Sequence, residues 1–429
     1  MMEVEHFPPF GFPLRTATFA SLSTRNYRLF ASGQLVSNTG AWVQRIAQDW
    51  LVLTLTGSAT AVGLTTALQF LPTLLLGLYG GVIADRCNKR RVLLLTNTGM
   101  GLLAAALAGL VLDHQVRPGH VYLIALLLGT VTAIDNPTRQ SFVNDLVGPA
   151  QLRNAISLNA SIFQLGALVG PALSGYLIGA VGPGYSFAIN AVSYLAAIVA
   201  LLRIREAELH LMPAGADSST RLRDGLAFAR QHPEVRWPIV LVGVFGMFST
   251  NLPVTLAAYA RNQFHSGASG YGLLTSAVAL GSIGGALISA RRARTRLRGL
   301  AGVGALACAA LIVASGFSSE WPYLLLLVSV GTATLLFLTS ANSSVQLAAG
   351  DELRGRVMGL YLLVFIGSGA IGGPVLGAID QHFGPRTGML LAGLVPGLVL
   401  LGVAGRLAHD GGLRLRLQSS TPPVAVVPR

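Results

Sequence analysis

The hydrophobic positions of this chain come in long unbroken blocks. Each is about 20 residues, the length that crosses a hydrocarbon core as helix. The first set lies near 28–54, 61–84, 92–112, 121–144, 155–180 and 185–203. The second lies near 238–259, 271–290, 299–317, 323–346, 357–379 and 387–405. The pattern predicts an all-α membrane protein with twelve transmembrane helices. The longest polar stretch, 204–237, separates six from six. The chain then divides into a cytoplasmic segment 1–27, a lobe 28–203, a linker 204–237, a lobe 238–405 and a tail 406–429.

Glycines mark the two sets as copies. Gly77, Gly80 and Gly81 recur as Gly281, Gly284 and Gly285, each 204 residues on. Gly166, Gly170 and Pro171 recur as Gly369, Gly373 and Pro374, each 203 residues on. Two unrelated signatures at nearly one spacing predict a duplicated half. Six spans return a chain to its starting side, so the two lobes are expected to be related by a pseudo-two-fold axis along the membrane normal.

Composition agrees. Charged residues make up 11% of the 429 and hydrophobic ones 52%, against about 25% charged in soluble domains. The net charge of +13 invites a nucleic-acid reading, which the placement of the bases excludes. Arg117, Arg261 and Arg386 fall on one side, and Arg45 and Arg139 fall inside spans. Every other Lys and Arg falls on the opposite side, which the positive-inside rule makes cytoplasmic, with both termini. The bases are then topology and contact with anionic lipid in a cell (inner or plasma) membrane.

Cys87 in a loop and Cys308 in a span cannot meet as a disulfide. No His-x-x-x-His and no carboxylate cluster appears, so no metal is expected. No nucleophile–base pair and no phosphate-binding Gly-x-x-x-x-Gly-Lys loop appears either. No catalytic residue, cofactor or enzymatic activity is expected, and the first span is too long for a signal peptide. The linker carries Leu222, Leu226 and Ala229 at helical spacing among Arg221, Arg223 and Arg230. It reads equally as a helix lying on the membrane or as a solvated linker helix. Trp50, Trp237 and Trp321 sit near span ends as interfacial anchors, and the tail is expected to be disordered.

Three constellations carry the functional reading. The first is Gly81-Val-Ile-Ala-Asp85-Arg86-Cys87-Asn88-Lys89-Arg90-Arg91. Gly81 is expected to let helices approach closely, Asp85 to face a helix N-terminus or an arginine, and the bases to hold the headgroups. The run resembles the cytoplasmic loop signature of the major facilitator superfamily. Asn88 replaces its second glycine, which asparagine does well because it tolerates a left-handed turn. The resemblance implies a gating latch of Gly81, Asp85, Arg86 and Arg90. Without it, the run is a plain positive-inside loop. The second half has Ser289 where the acid stands.

The second constellation is Gly166, Gly170, Pro171 and Gly175. Glycines four apart open a flat groove on one helix face, and Pro171 removes a backbone hydrogen bond and bends the helix. The segment resembles the superfamily's fifth-helix signature, which implies antiport and export; ordinary tight packing is the other reading. Gly369, Gly373 and Pro374 predict a matching hinge in the eleventh span.

Buried charge is the third. The first span holds Arg45, Gln48 and Asp49, and the fourth holds Asp135, Asn136, Arg139 and Gln140. A charge near a helix centre costs about 2.5–3.5 kcal/mol on insertion scales, so it faces a cavity or a partner. Arg45 with Asp49, and Asp135 with Arg139, stand four apart and are predicted to pair on one face. Pro137 is expected to break the fourth helix. In the superfamily the first, fourth, seventh and tenth helices line the central cavity. That implies Arg45 reaching Asp135 across it, Asp49 and Asp135 carrying protons, and Asn251 and Asn342 adding hydrogen bonds. The bland reading is a pair of structural ion pairs near span ends. No acid is expected to face the cavity from the second lobe, which argues against a polycationic substrate.

The resemblance to the major facilitator superfamily covers nearly the whole chain. Asn26 to Gly40, Asp135 to Gln140 and Asp351 to Met358 further resemble its bacterial drug and siderophore exporter branch. This implies a monomeric secondary transporter. It would export small, partly apolar molecules (drugs or secondary metabolites) by alternating access, in exchange for protons. A dedicated siderophore exporter is the alternative. Uptake is disfavoured by the fifth-span pattern, and a non-transporting sensor by the latch and the protonatable cavity.

Overall fold

The computed structural model describes residues 19–210, 222–290, 297–410, 413–417 and 424–428. The expected segment 1–27, the basic run from Arg291 to Arg296 and parts of the linker and tail therefore lie wholly or partly outside the described residues. The first lobe opens with α1 Arg25–Thr56, α2 Ala59–Arg86 and α3 Lys89–Leu112. One long run, Pro118–Val181, follows, and α6 Pro183–Leu202 closes the lobe. Gly148 (φ 66°, ψ 177°) breaks the long run into α4, 118–147, and α5, 149–181. That left-handed φ is one a side chain would strain to adopt.

The linker forms α7 Leu222–Gln231. The seventh span is discontinuous, with α8 Pro233–Ser249, α9 Leu252–Ala258 and a π turn Tyr259–Gln263. Then come α10 Gly267–Ala290, α11 Leu297–Ser315, α12 Glu320–Ala348, α13 Gly350–Phe383 and α14 Pro385–Asp410. Among the described residues nine helical segments are long and apolar enough to cross a membrane, with Pro118–Val181 counted once. Its two limbs make ten. The apolar but shorter α11 and the long but polar α1 complete the twelve.

The duplication is visible in how elements end and pack. Both α5 and α13 stop at a positive-φ glycine followed by proline: Gly182 (φ 89°) before Pro183, and Gly384 (φ 82°) before Pro385. In one lobe α2 packs on α4, in the other α10 on α12. A Cβ at Gly80 would strike the Ala133 carbonyl and one at Gly281 the Val328 carbonyl, so both pairs meet through a glycine of the repeated signature, at different positions of it. The approach of α2 to α4 therefore runs through Gly80. The expectation for Gly81 is corrected, since a Cβ there would meet nothing within 4 Å.

Burial differs between the two ends of the molecule. At the end away from the basic loops, one hydrophobic cluster spans both lobes, with Ile46, Leu53, Val62 and Phe187 from one and Leu252, Tyr259, Tyr271 and Leu376 from the other. At the basic end each lobe keeps its own core. Tyr27, Phe30, Phe142 and Leu146 form one; Val235, Phe245, Phe337 and Val345 form the other. Among the described residues the lobes share a core at one end and keep separate cores at the basic end.

Three local expectations are corrected. The helix runs through Pro137, because Gly148 is the residue with non-helical dihedrals in 118–181. Asn88 is extended (φ −64°, ψ 107°) and caps α3, its side chain accepting from the Arg91 amide. In the tail, Leu413–Leu417 pairs antiparallel with Val424–Pro428. The linker helix α7 is neither free nor simply laid on lipid. Ala229 is buried, and Gly225 abuts the Arg356 backbone of α13.

Candidate functional site: a polar channel in the first lobe and a seam between lobes

Two adjoining cavities share Asn136 on α4 and follow the inner side of the first lobe. The one nearer the basic end, about 310 Å³, is lined by Gln34 and Asn38 of α1, Asn136, Arg139 and Gln140 of α4, and Asn159 of α5. The deeper one, about 260 Å³, is lined by Gln44, Arg45 and Gln48 of α1, Gln69 and Phe70 of α2, Asn136 and Asn190. Long amides dominate. Asn190 Nδ2 donates to Gln44 Oε1 at 2.6 Å. Gln48 Nε2 is buried without a partner, so it is a donor with a bond to give. A third cavity, about 180 Å³, lies between the lobes and is mostly apolar, with Trp42, Phe163, Leu252, Leu256, Thr250 and Thr275 among its walls.

The charged residues divide. Arg45 lies over the rings of Trp42 (5.6 Å) and Phe70 (5.4 Å). Stacking on aromatics stabilises an arginine away from bulk water. The pair expected between Arg45 and Asp49 is not formed. Asp49 is buried and accepts instead from the Tyr271 hydroxyl of α10 at 2.9 Å, across the lobe boundary. The pair Asp135–Arg139 is formed. Asp135 is fully buried and faces α3, where Thr96 Oγ1 donates to it at 2.6 Å. Arg45 therefore does not reach Asp135, and Asp135 lines neither channel cavity.

The amides expected from the second lobe are corrected too. Asn251 is buried; its Nδ2 donates to the Met247 carbonyl at 3.0 Å, bridging the break between α8 and α9. Asn342 accepts from Gln346 on its own helix at 2.6 Å. Asn251 also packs against Gly372 and Gly373 of α13, and neither amide lines these cavities. Thr250 and Thr275 face the interlobe cavity in their place.

The seam is built from small residues. Gly63 of α2 faces the Gly373 carbonyl, and Gly377 the Ala59 carbonyl. Gly272 of α10 faces the Pro171 carbonyl, and Gly175 the Ala268 carbonyl. A few hydrogen bonds cross: Ala59 N to Gln381 Oε1 at 2.8 Å, Ser276 Oγ to the Leu168 carbonyl at 2.9 Å, and Arg261 to the Leu53 carbonyl. Of the expected hinge residues, Gly175, Gly369, Gly373 and the backbone of Pro171 lie at this seam, Gly369 against Phe70. Gly166 and Gly170 pack inside the first lobe against Asn38 and Trp42 of α1, and Pro374 stands beside Gly63.

At the basic end the gating residues also divide. Arg90 donates to the Leu201 and Leu202 carbonyls (2.7 and 2.9 Å) and pairs with Glu206, tying α3 to the end of α6. Lys89 pairs with buried Asp145 at 2.8 Å, an anchor that the pattern of the loop did not disclose. Asp85 and Arg86 are exposed at this end.

Comparison with known proteins places this geometry. Residues 16–411 match the model of MFS_3, the transmembrane secretion effector family. The chain is 28% identical over 375 residues to the multidrug efflux pump Tap of Mycolicibacterium fortuitum, covering 82% of this chain and 89% of Tap. It is 27% identical over 368 residues to the enterobactin exporter EntS of Citrobacter koseri, covering 83% and 82%. It is 26% identical over 258 residues to the staphyloferrin A transporter of Staphylococcus aureus, covering 60% of this chain and 64% of that protein. Among solved structures it resembles an inward-facing, occupied bacterial homologue of the lysosomal transporter Spinster (TM-score 0.67, 16% identity, 96% and 100% covered). It also resembles an inward-facing bacterial homologue of ferroportin (TM-score 0.66, 16% identity, 89% and 99% covered). With twelve helices in two like lobes and a polar channel ending at a glycine seam, the chain is a membrane transporter, not an enzyme, and belongs to the transmembrane secretion effector family of the major facilitator superfamily.

Proposed function

We propose that this protein exports small, partly apolar molecules that are neutral or anionic, in exchange for protons, and that it acts as a monomer. The carrying observation is the hydrogen bond from Tyr271 to Asp49, by which the second lobe holds a buried carboxyl of the first, next to the channel residue Gln48. The channel is lined by amides and by Arg45 and Arg139, and the adjoining interlobe cavity is apolar. A polycation finds no carboxylate on these walls. The positive-inside rule makes the basic face cytoplasmic, and separate lobe cores at that face support a state open to the cytoplasm, where an exporter loads.

Asp49 is the group whose charge bears on closure. Ionised, it is held by the Tyr271 hydroxyl, and hydrogen bonds to charged groups are worth about 1.5–3 kcal/mol. Protonated, it holds the seam less firmly. A proton taken up at Asp49 therefore favours parting at the outer face, and moving one charge through 100 mV is worth about 2.3 kcal/mol. Asp135, ion-paired and facing α3, is assigned a structural role.

The siderophore reading has one observation in its favour. Arg45, stacked between Trp42 and Phe70, suits a ligand that is both anionic and aromatic. One experiment tests both. Protein in vesicles is given an imposed proton gradient, and exchange is followed with a neutral dye, a cationic dye and an aromatic carboxylate. Gradient-driven movement of the neutral and anionic probes, lost in Asp49→Asn, is expected. Transport that ignores the gradient would remove proton exchange from the account.

A further inference from the structure

The second lobe holds a carboxyl that the channel does not use. Asp380, three residues before the end of α13, is 3% exposed, and neither of its oxygens has a hydrogen-bond partner. Gly388 of α14 makes room for it, since a Cβ there would strike Oδ1. Thr255 of α9 is the polar group that approaches the carboxyl. The hydroxyls of Thr255, Tyr259 and Tyr323 are also buried and unpartnered. Tyr259 lies in the π turn and Tyr323 on α12. Their rings are 4.7 Å apart, and both feel the Asp380 charge. π turns are frequent at functional sites.

The other charge acting on the cluster, among the described residues, is Arg386 of α14, whose guanidinium donates to Ser318 Oγ at 2.6 Å on the exposed side. α2 meets this end of α13 through Ala59 and Thr60, and the α8–α9 break meets it through Asn251; none of these titrates. An ionised carboxylate stripped of water and of donors costs several kcal/mol, and an acid inside a span points to function. Three hydroxyls there are uncommitted. Thr255, the one that approaches the carboxyl, can accept from the acid or donate to a carboxylate, and the tyrosines add polar groups to the same pocket. The next residue, Gln381, accepts from the Ala59 amide across the seam, so parting of the seam removes cover beside the site.

We propose that Asp380, with Thr255, Tyr259 and Tyr323, is a second proton-binding site, filled and emptied through the seam when the lobes part there. The acid releases its proton to water on that face and leaves a carboxylate to which Thr255 donates; reloading reverses the step. The role rests on the proton-exchange reading above, while the binding itself is measured independently of it.

The test is infrared difference spectroscopy on the full chain in nanodiscs, with a pH step. A carboxylic-acid C=O band present at neutral pH should be lost in Asp380→Asn and kept in Asp49→Asn. A spectrum unchanged by Asp380→Asn overturns the site. If that variant does not fold, Thr255→Val and Tyr323→Phe should each shift the band, and a band that stays put in both overturns it equally. Loss of the band on adding sodium at constant pH would assign the site to a metal cation and overturn proton binding. Vesicle exchange with Asp49→Asn, run alongside, reports on the coupling reading alone, so the two failures are separable.

Discussion

Removing one oxygen from the seam should open it. Tyr271→Phe keeps the ring that stacks at 6.2 Å on Trp50 and deletes only the hydroxyl that donates to Asp49 at 2.9 Å. A hydrogen bond to a charged group is worth about 1.5–3 kcal/mol, and each 1.4 kcal/mol is tenfold. The bond exists only while the lobes meet at that face, so the open-seam population should rise about 10- to 100-fold. Val62, buried in the shared core, reports this when changed to Cys in a background lacking the two native cysteines, Cys87 and Cys308. A membrane-impermeant maleimide added from the seam side reacts in proportion to the open fraction. Asp49→Asn keeps a neutral acceptor for the tyrosine and forfeits about 1 kcal/mol, so its rise should be about fivefold. Labelling that Tyr271→Phe leaves unchanged would refute the seam reasoning, as would a larger effect from Asp49→Asn.

Other outcomes follow from the same contacts. Gly80→Ala should lower thermal stability in detergent because its Cβ meets the Ala133 carbonyl, whereas Gly81→Ala, with open space, should match or exceed wild type by about 0.5–1 kcal/mol. Asp145→Asn strips Lys89 of its buried partner and should cost about 1–3 kcal/mol, read as a fall in melting temperature. Asp85→Ala should leave that temperature unchanged, since the side chain is exposed, while slowing exchange in vesicles. Asp135→Asn leaves Arg139 without its counter-ion and should reduce the yield of folded protein, measured by gel filtration.

How much of this was legible depended on sequence distance. Block length and glycine repeats report directly on helices, so the twelve spans and the duplication were readable. The i,i+4 rule placed Asp135 beside Arg139 correctly. It failed for Arg45 and Asp49 at the same spacing, because Trp42, Phe70 and Tyr271 offered better partners. Two of those three lie on other helices, and periodicity carries no signal of them. Asp380 was passed over because the eleventh apolar block fades at 379, which put the acid in a loop. The helix in fact continues to Phe383, supported from outside by α9, α12 and α14. The one local hint was Gly388, whose purpose appears only when α14 folds back against α13. Gly81 misled for a related reason. A glycine pair shows that a close approach exists, while the helix rotation that selects Gly80 is set by the partner.

The contrast between the seam and the lobe interiors supports the proposed reading, in which the lobes part at the seam. Within each lobe, large side chains interdigitate, as Phe245 stacks on Phe337 at 4.0 Å and Phe30 meets Phe142 at 5.8 Å. Pulling such surfaces apart empties cavities, which costs several kcal/mol per large residue. Along much of the seam, glycine Cα atoms lie on opposing carbonyls, at Gly63 with Gly373 and at Gly272 with Pro171. Such contacts hold through flat backbone packing and weak Cα–H···O interactions of about 0.5–1 kcal/mol each. Such flat stretches part without leaving holes, whereas the side chains of the core shared by both lobes must be uncovered as the seam opens. The few polar bonds across the seam then weigh heavily in the balance, and the one from Tyr271 to Asp49 is the one made to a carboxyl. On the proposed reading, protonation of Asp49 tips that balance by loosening its bond to Tyr271.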